Sequence, residues 1–358
     1  MAKNKNDVDM MIDDLMKKFP ESVPDVMTAG QVKRLYLSSP NLNYVFGGGF
    51  PLGRVEEMFG PESGGKTVLA ASIGGQIQRR TDDGPDRVIY VDVEHTFDVN
   101  YAMVVGLDPD KKKLTFIHPR NGEEGFDICD KLIQTGEFGL IVWDSIASTP
   151  SASVLVSDYG KASFGKTAAL FSESLKKFNP YLNRYGTSLL LLNQVRAKIG
   201  GQVKPGMPPQ ENTGGGYAPK FYASWRARVG KTEDIKDGNT VIGNKIHVRN
   251  VKSKIGFPKR SCDLELYYAT GFNPDLEYAT FISDLELVDK AASWYSYKGQ
   301  RIGQGRPALL DWLHDNRDTF EEMKVMVNES FKKHSILDEK EIVEAEAEQE
   351  AQALDEQE

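Results

Sequence analysis

Gly60-Pro61-Glu62-Ser63-Gly64-Gly65-Lys66-Thr67 follows the spacing G-x-x-x-x-G-K-[ST]. The residues before it, Arg54–Phe59, read as a strand, and those after it, Thr67–Arg80, as a helix. A phosphate-binding loop demands that context. Its glycines let the chain wrap so that successive N–H groups converge on phosphate oxygens. Lys66 then reaches the β- and γ-phosphates, and the Thr67 hydroxyl ligates Mg²⁺. The implied ligands are a polyphosphate and Mg²⁺.

Working outward, the chain alternates. Arg87–Val93 and Leu140–Trp143 are apolar strands, with a helix over Gly125–Thr135 between them. A helix over Thr167–Tyr185 leads to a fourth strand, Ser188–Leu192. Near-continuous apolar strands separated by helices predict an α/β fold with a parallel sheet covered on both faces. After Phe221 three strands follow without helices between them: Ser224–Val229, Lys245–Val251 and Cys262–Tyr267. They predict an antiparallel extension of the same sheet. Residues 272–335 form a smaller α/β segment, ending in helices over Pro307–Asn316 and Thr319–His334.

Three strand ends carry polar groups to the phosphate edge. Asp144 closes the strand Gly139–Trp143, where an acid supports Mg²⁺. Glu94 follows Val88–Val93, where a carboxylate can orient and deprotonate an attacking water. His95 beside it suits geometry more than chemistry. Asn193-Gln194 closes the fourth strand, and a neutral amide there can touch the γ-phosphate and report its loss to the following loop.

At the N-terminus, residues 7–19 place Val8, Ile12, Leu15, Met16 and Phe19 on one helical stripe, stopped by Pro20. One helix cannot bury its stripe alone, so it needs its own domain or a neighbouring subunit. Among 358 residues, 40% are apolar and 27% charged, which excludes fibrous, wholly disordered and membrane classes. The longest apolar runs fall far short of the roughly 20 residues a spanning helix needs. Two cysteines, Cys129 and Cys262, lack metal-ligand spacing and suit a reducing cytoplasm. The net charge of −8 is concentrated in residues 338–358, which hold ten acids and one base. The remaining body is near neutral, so overall acidity does not exclude a nucleic-acid partner.

FGPESGGKT, YVDVEH, LIVWDS, LNQVRAKIG, TGGGYAPKFYAS, VKSKI and WYSYKGQRIGQG occur in this order. In these motifs the chain resembles the RecA recombinase family, from about residue 7 to 335, in a bacterial or phage-encoded form. The resemblance implies a RecA-type P-loop ATPase core with a central mostly parallel sheet and antiparallel extension, an N-terminal helix and a small C-terminal α/β domain. The corresponding divisions are 1–34 for the oligomerisation helix and linker, 35–270 for the ATPase core with its DNA loops, 271–337 for the C-terminal domain and 338–358 for a disordered acidic tail. It further implies an ATP-dependent, filament-forming recombinase that binds single-stranded DNA, pairs it with a homologous duplex and exchanges strands in the cytoplasm, that of the host if phage-encoded.

Carried over by resemblance, Lys66 and Thr67 match the phosphate and Mg²⁺ contacts, Glu94 the catalytic glutamate, Asp144 the Mg²⁺-supporting acid and Gln194 the nucleotide sensor. Asp98 and Tyr101 match residues that hold the adenine, Tyr101 by stacking. Lys252 and Lys254 match lysines that reach the γ-phosphate on a neighbouring subunit, and Phe221 an interface residue. One DNA loop matches about Ser151–Gly165, with Ser172 and Lys176 beside it. The second matches Val195–Gly216, whose Arg196, Gly215 and Gly216 match DNA contacts. Ala169 departs from the family arginine, and Phe164 stands where the family has a methionine; an aromatic can stack on bases there. Lys231, Arg249, Lys298, Arg301 and Arg306 suit a weaker duplex-binding surface.

Two alternatives share the ATPase core. A hexameric ring helicase is disfavoured by the N-terminal helix, the VKSKI lysines and the C-terminal domain with its tail. A recombination-mediator ATPase is disfavoured by the two loops and the basic C-terminal stretch.

Overall fold

Four largely buried strands form the middle of the molecule: β3 (Val55–Gly60), β4 (Arg87–Asp92), β6 (Phe138–Asp144) and β7 (Ser188–Ala197), the last buried over residues 188–193. Strands so uniformly apolar are stable only when both faces are covered. The computed structural model describes residues 5–18, 32–157, 165–197, 211–256 and 259–331. Phe164, Phe19, residues 198–210 and the acidic tail 338–358 lie outside the described residues.

The chain divides into Met1–Lys33 and Arg34–Glu358. In the first unit, α1 (Lys5–Lys18) exposes Met10, Met11 and Ile12, while Leu15 and Met16 are half-buried. It begins two residues earlier than the apolar stripe alone indicates.

The second unit opens with β1 (Arg34–Leu35), α2 (Pro40–Phe46) and β2 (Phe50–Pro51). Ser39 caps α2 by accepting from the Leu42 N–H at 3.1 Å, and Pro40 supplies a pre-set first turn. The remaining core elements are α3 (Lys66–Gln78), α4 (Val99–Val104), β5 (Leu114–Ile117), α5 (Gly122–Ile133), α6 (Ala152–Leu155), α7 (Lys166–Tyr185), β8 (Glu211–Thr213), α8 (Ala218–Tyr222), β9 (Trp225–Asp237), β10 (Thr240–Ser253), β11 (Ser261–Tyr267) and β12 (Gly271–Phe272). The large sheet runs β12-β11-β10-β9-β3-β7-β6-β4-β5, with β8 paired to β7. One face packs Met58, Tyr90, Val142 and Leu190 against Leu69, Ile73 and Ile77 of α3. The other packs Ile89, Ile141, Trp143 and Leu191 against Phe126 of α5 and Phe171, Phe178 and Leu182 of α7. Each such side chain contributes roughly 1.5–3 kcal/mol by burial.

The antiparallel extension starts one strand later than the sequence suggests. β9 pairs parallel with β3, Glu56 beside Trp225 and Phe59 beside Arg228. The chain reaches β9 from β7 by a crossover through α8, so it re-enters the sheet in the parallel sense. From β9 onward the pairing is antiparallel. β7 also extends five residues past Leu192, because β8 returns alongside it with Val195 opposite Thr213.

The C-terminal segment comprises α9 (Pro274–Asp284), β13 (Asp289–Ala291), β14 (Trp294–Tyr297), β15 (Gln300–Gln304), α10 (Gly305–Asp315) and α11 over residues 317–331. Its own apolar cluster includes Ile282, Tyr295, Leu309, Leu313, Met323 and Val327. Tyr44 of α2 packs against Phe281 and Phe331 and joins this cluster to the main sheet.

Candidate active site

The strand order β3-β7-β6-β4 brings the ends of four parallel strands to one sheet edge. Gly60–Thr67, Gln194, Asp144 and Glu94 meet there. The loop after β3 lies flat against β9 and β10. A Cβ on Gly60 would stand 1.8 Å from the Val229 carbonyl oxygen, and one on Gly65, at φ +92°, 2.4 Å from Ile246 Cδ1. Only glycine serves at either position.

Lys66 is buried, and its Nζ donates to the carbonyls of Gly60 at 3.1 Å and Pro61 at 2.6 Å. Burial pulls its pKa below the ordinary lysine value, against the attraction of Asp144, Glu94 and Glu62. The Thr67 hydroxyl donates to Asp144 Oδ2 at 2.8 Å, and the buried Tyr90 hydroxyl donates to the same oxygen at 2.9 Å. Burial raises the Asp144 pKa, and these two hydrogen bonds oppose the rise. An ammonium hydrogen-bonded to two neutral carbonyls fits a polyphosphate. A hydroxyl that donates its hydrogen bond to a carboxylate keeps its lone pairs for a hard cation. The residues therefore fit both ATP and Mg²⁺.

Glu94 sits on a turn held by Asp92. The buried Asp92 carboxylate accepts from the N–H groups of His95 at 2.9 Å and Phe97 at 3.3 Å. His95, at φ +56°, stacks on His118 with ring centroids 4.5 Å apart. Glu94 Oε1 accepts from Gln194 Nε2 at 2.8 Å, from Ser148 Oγ at 2.9 Å and from Ser145 Oγ. Residues one hundred positions apart in the chain thus share one oxygen.

Asp92, Tyr90, Ser145 and Ser148 escaped the sequence reading. Asp92 precedes Glu94 by two residues in YVDVEH, and its turn-capping bonds are visible only once the chain folds back.

A cleft of about 270 Å³ opens beside the loop, lined by Ser63–Val68, Tyr101, Asn244, Leu266 and Tyr268. Tyr101 lines it. Asp98 does not line it: its Oδ1 caps α4 by accepting from the N–H groups of Asn100 at 2.9 Å and Tyr101 at 3.2 Å. It places Tyr101 through the helix.

Lys252, Lys254 and Phe221 form a separate group. Lys252 Nζ donates to the carbonyls of Ala223 at 2.9 Å, Phe221 at 3.3 Å and Lys220. Lys254 Nζ donates to the Phe221 carbonyl at 2.8 Å and lies 5.2 Å from its ring centroid. Burial lowers the Lys252 pKa, as do the neighbouring Lys254 and Arg226. The Phe221 side chain is 69% exposed. Strand register separates this group from its own phosphate loop. Lys252 pairs with Arg226, and Arg226 with Glu57, three residues before Gly60. Lys254 N–H reaches Ser224, further toward the start of β3.

On the expected DNA face, Ser172 and Lys176 lie one turn apart on the exposed side of α7. Gly215 and Gly216 both take positive φ, 76° and 69°, and Gly216 approaches Ala168 at the start of α7. Arg196 lies on β7 opposite Asn212, its side chain outside the described set. Lys166 leans on the Ser153 carbonyl at 3.4 Å. Arg301 stacks on Trp294, 3.5 Å from the ring centroid.

A family model described as the RecA N-terminal domain matches residues 7–273, and one described as the RecA C-terminal domain matches residues 281–332. The chain belongs to the RecA family. It is 38% identical to Protein RecA of Desulforapulum autotrophicum over 283 residues, 79% of each chain. It is 33% identical to Protein RecA of Bacillus mycoides over 335 residues, 92% of this chain and 94% of that one. Protein RecA of Bacillus subtilis matches at 33% over 308 residues, 86% and 84% of the two chains. As a RecA-family recombinase the protein is a DNA-dependent ATPase of recombination and repair that uses ATP with Mg²⁺. It binds single- and double-stranded DNA, forms filaments and exchanges strands. Among the described residues no helix is long and apolar enough to cross a membrane.

Proposed function

We propose that hydrolysis takes place at the β3-β7-β6-β4 edge, with the roles divided as follows. Gly60–Thr67 cradles the triphosphate, and Lys66 exchanges its two carbonyl partners for phosphate oxygens. Thr67 would hold Mg²⁺ through its oxygen while its hydroxyl hydrogen stays directed at Asp144, which Tyr90 fixes from behind. Bound there, Mg²⁺ neutralises charge on the phosphate oxygens. Tyr101 stacks on the adenine in the 270 Å³ cleft.

The observation that carries the reading is the shared oxygen of Glu94. With Oε1 occupied by Gln194, Ser145 and Ser148, Oε2 is the oxygen that takes a proton from water. The Gln194 amide holds that carboxylate through an N–H that a γ-phosphate also attracts. Drawing it to the phosphate moves the end of β7, and with it the loop that follows. Sensing the nucleotide and positioning the base are therefore one hydrogen-bond exchange.

Lys252 and Lys254 lie toward the opposite end of β3 from the phosphate loop, so they serve a neighbouring subunit's ATP, with the exposed Phe221 docking beside them. Ser172, Lys176, Arg196, Gly215, Gly216 and Phe164 form the single-strand contact surface.

Glu94→Gln tests the central assignment. Nucleotide affinity should stay within about twofold while DNA-stimulated turnover falls about 10²-fold or more. Equal loss of binding and turnover would make Glu94 a structural residue.

A further inference from the structure

Asn193, the residue before Gln194, is fully buried and its carboxamide is fully engaged. Nδ2 donates to Glu57 Oε1 at 2.9 Å and to the Gly214 carbonyl at 3.0 Å. Oδ1 accepts from the Gly214 N–H at 3.1 Å. One side chain thus clasps both peptide groups of the residue that precedes Gly215 and Gly216. Glu57 is also fully buried, and its other oxygen pairs with Arg226 Nε. The Arg226 guanidinium lies 4.7 Å from the ring centroid of Phe59, the residue before the phosphate loop.

Four elements meet in this network: β3, which feeds the phosphate loop; β7, which carries Gln194; the end of the second DNA loop; and β9. Neighbouring residues on a strand point to opposite faces. A tilt of β7 that moves Gln194 one way moves Asn193 the other. Its contacts leave no slack, because each polar atom of the amide already has its partner.

We propose that Asn193 is the positioning residue that converts the Gln194 hydrogen-bond exchange into movement of the DNA loop, by its two-bond clasp on Gly214, and that Glu57, held by Arg226, is its fulcrum. A buried, fully satisfied network of this kind carries coupling between sites because its members cannot shift singly. The inference rests on Gln194 as the nucleotide sensor and adds the route from it to DNA.

The test is the ratio of single-stranded DNA dissociation constants in ADP and in a slowly hydrolysed ATP analogue, measured by fluorescence anisotropy with a labelled oligothymidylate. Coupling free energies of this kind correspond to about 5–150-fold. Asn193→Ala should collapse the wild-type ratio toward one, with nucleotide affinity in the absence of DNA unchanged within about twofold. Glu57→Gln keeps an oxygen for Asn193 Nδ2 but turns an N–H toward Arg226 Nε and so loosens the fulcrum; it should lose part of the ratio, and Glu57→Ala should lose it all. Gly214→Ala keeps every group of the network and sets a methyl 3.1 Å from Asn193 Oδ1, so it decides the matter if Asn193→Ala does not fold. A wild-type ratio in whichever of these two variants folds overturns the proposal, as does loss of the ratio together with nucleotide affinity. A wild-type protein whose own ratio is near one would instead overturn the sensor reading on which the proposal stands.

Discussion

Glu56, the second residue of β3, is 0% exposed, and neither carboxylate oxygen has a hydrogen-bond partner among the described residues. Its backbone neighbours across the sheet are Leu190 and Trp225. Burial raises its pKa well above the ordinary carboxylate value, and Arg54 and Arg34 offset only part of that rise. The folded protein thus prefers Glu56 protonated. A raised carboxyl pKa gives its full contribution to stability below the unfolded value, and the contribution is lost as pH rises toward the folded value. Within that window the loss is about 1.4 kcal/mol per pH unit. The unpartnered neutral carboxyl costs a further 1–3 kcal/mol or so at every pH. Glu56→Leu removes both costs. It should raise the urea midpoint at pH 5.5 modestly and at pH 8.5 considerably more, so the difference between variant and parent should widen with pH. Urea melts followed by circular dichroism at the two pH values measure this directly. A variant less stable than the parent at both, or a gap that narrows with pH, would show that Glu56 is ionised and paired in the native state.

Tyr90→Phe removes one of the two hydrogen bonds that lower the Asp144 pKa, so the acid limb of the ATPase pH profile should move to higher pH and the Mg²⁺ concentration for half-maximal rate should rise about tenfold or more, as a lost bond to a charged group predicts. Glu277, whose Oε2 accepts from Ser39 Oγ and the Asn41 N–H, has its pKa raised by burial to about 7, so stability falls as pH climbs from the ordinary carboxylate range to that value. Glu277→Gln keeps the acceptor without the charge and should melt higher than the parent at pH 8 but not at pH 5; equal gains at both would remove Glu277 from the linkage.

Much of this site is written in short stretches of sequence. The glycine spacing of 60–67 fixes the phosphate loop, and apolar runs ending in Glu94, Asp144 and Gln194 mark groups at the carboxyl edge. What escapes is long-range pairing. Thr67 meets Asp144 across 77 positions, and Asn193 meets Glu57 across 136. Neither contact has a local signature. The four-residue β5, with Thr115 in it, is too short for a periodic signal, and the parallel sense of β9 depends on a crossover that strand patterning does not encode. Glu56 and Glu57 read as an ordinary charged pair in a strand, yet alternation sends one to each face, one without a partner and one into a full network.

The central claim is that each ATP is hydrolysed between two subunits, with the phosphate loop from one and Lys252 and Lys254 from the next. Cations supplied across an interface are worth about 10³–10⁵ in rate. Protein carrying Lys66→Ala and protein carrying Lys252→Ala with Lys254→Ala should each be inactive alone on single-stranded DNA. Mixed in equal amounts and co-assembled, about a quarter of the head-to-tail interfaces join an intact loop to intact lysines. ATPase activity should then return to roughly that fraction of the wild-type rate. No recovery in filaments shown to contain both proteins would contradict the shared site.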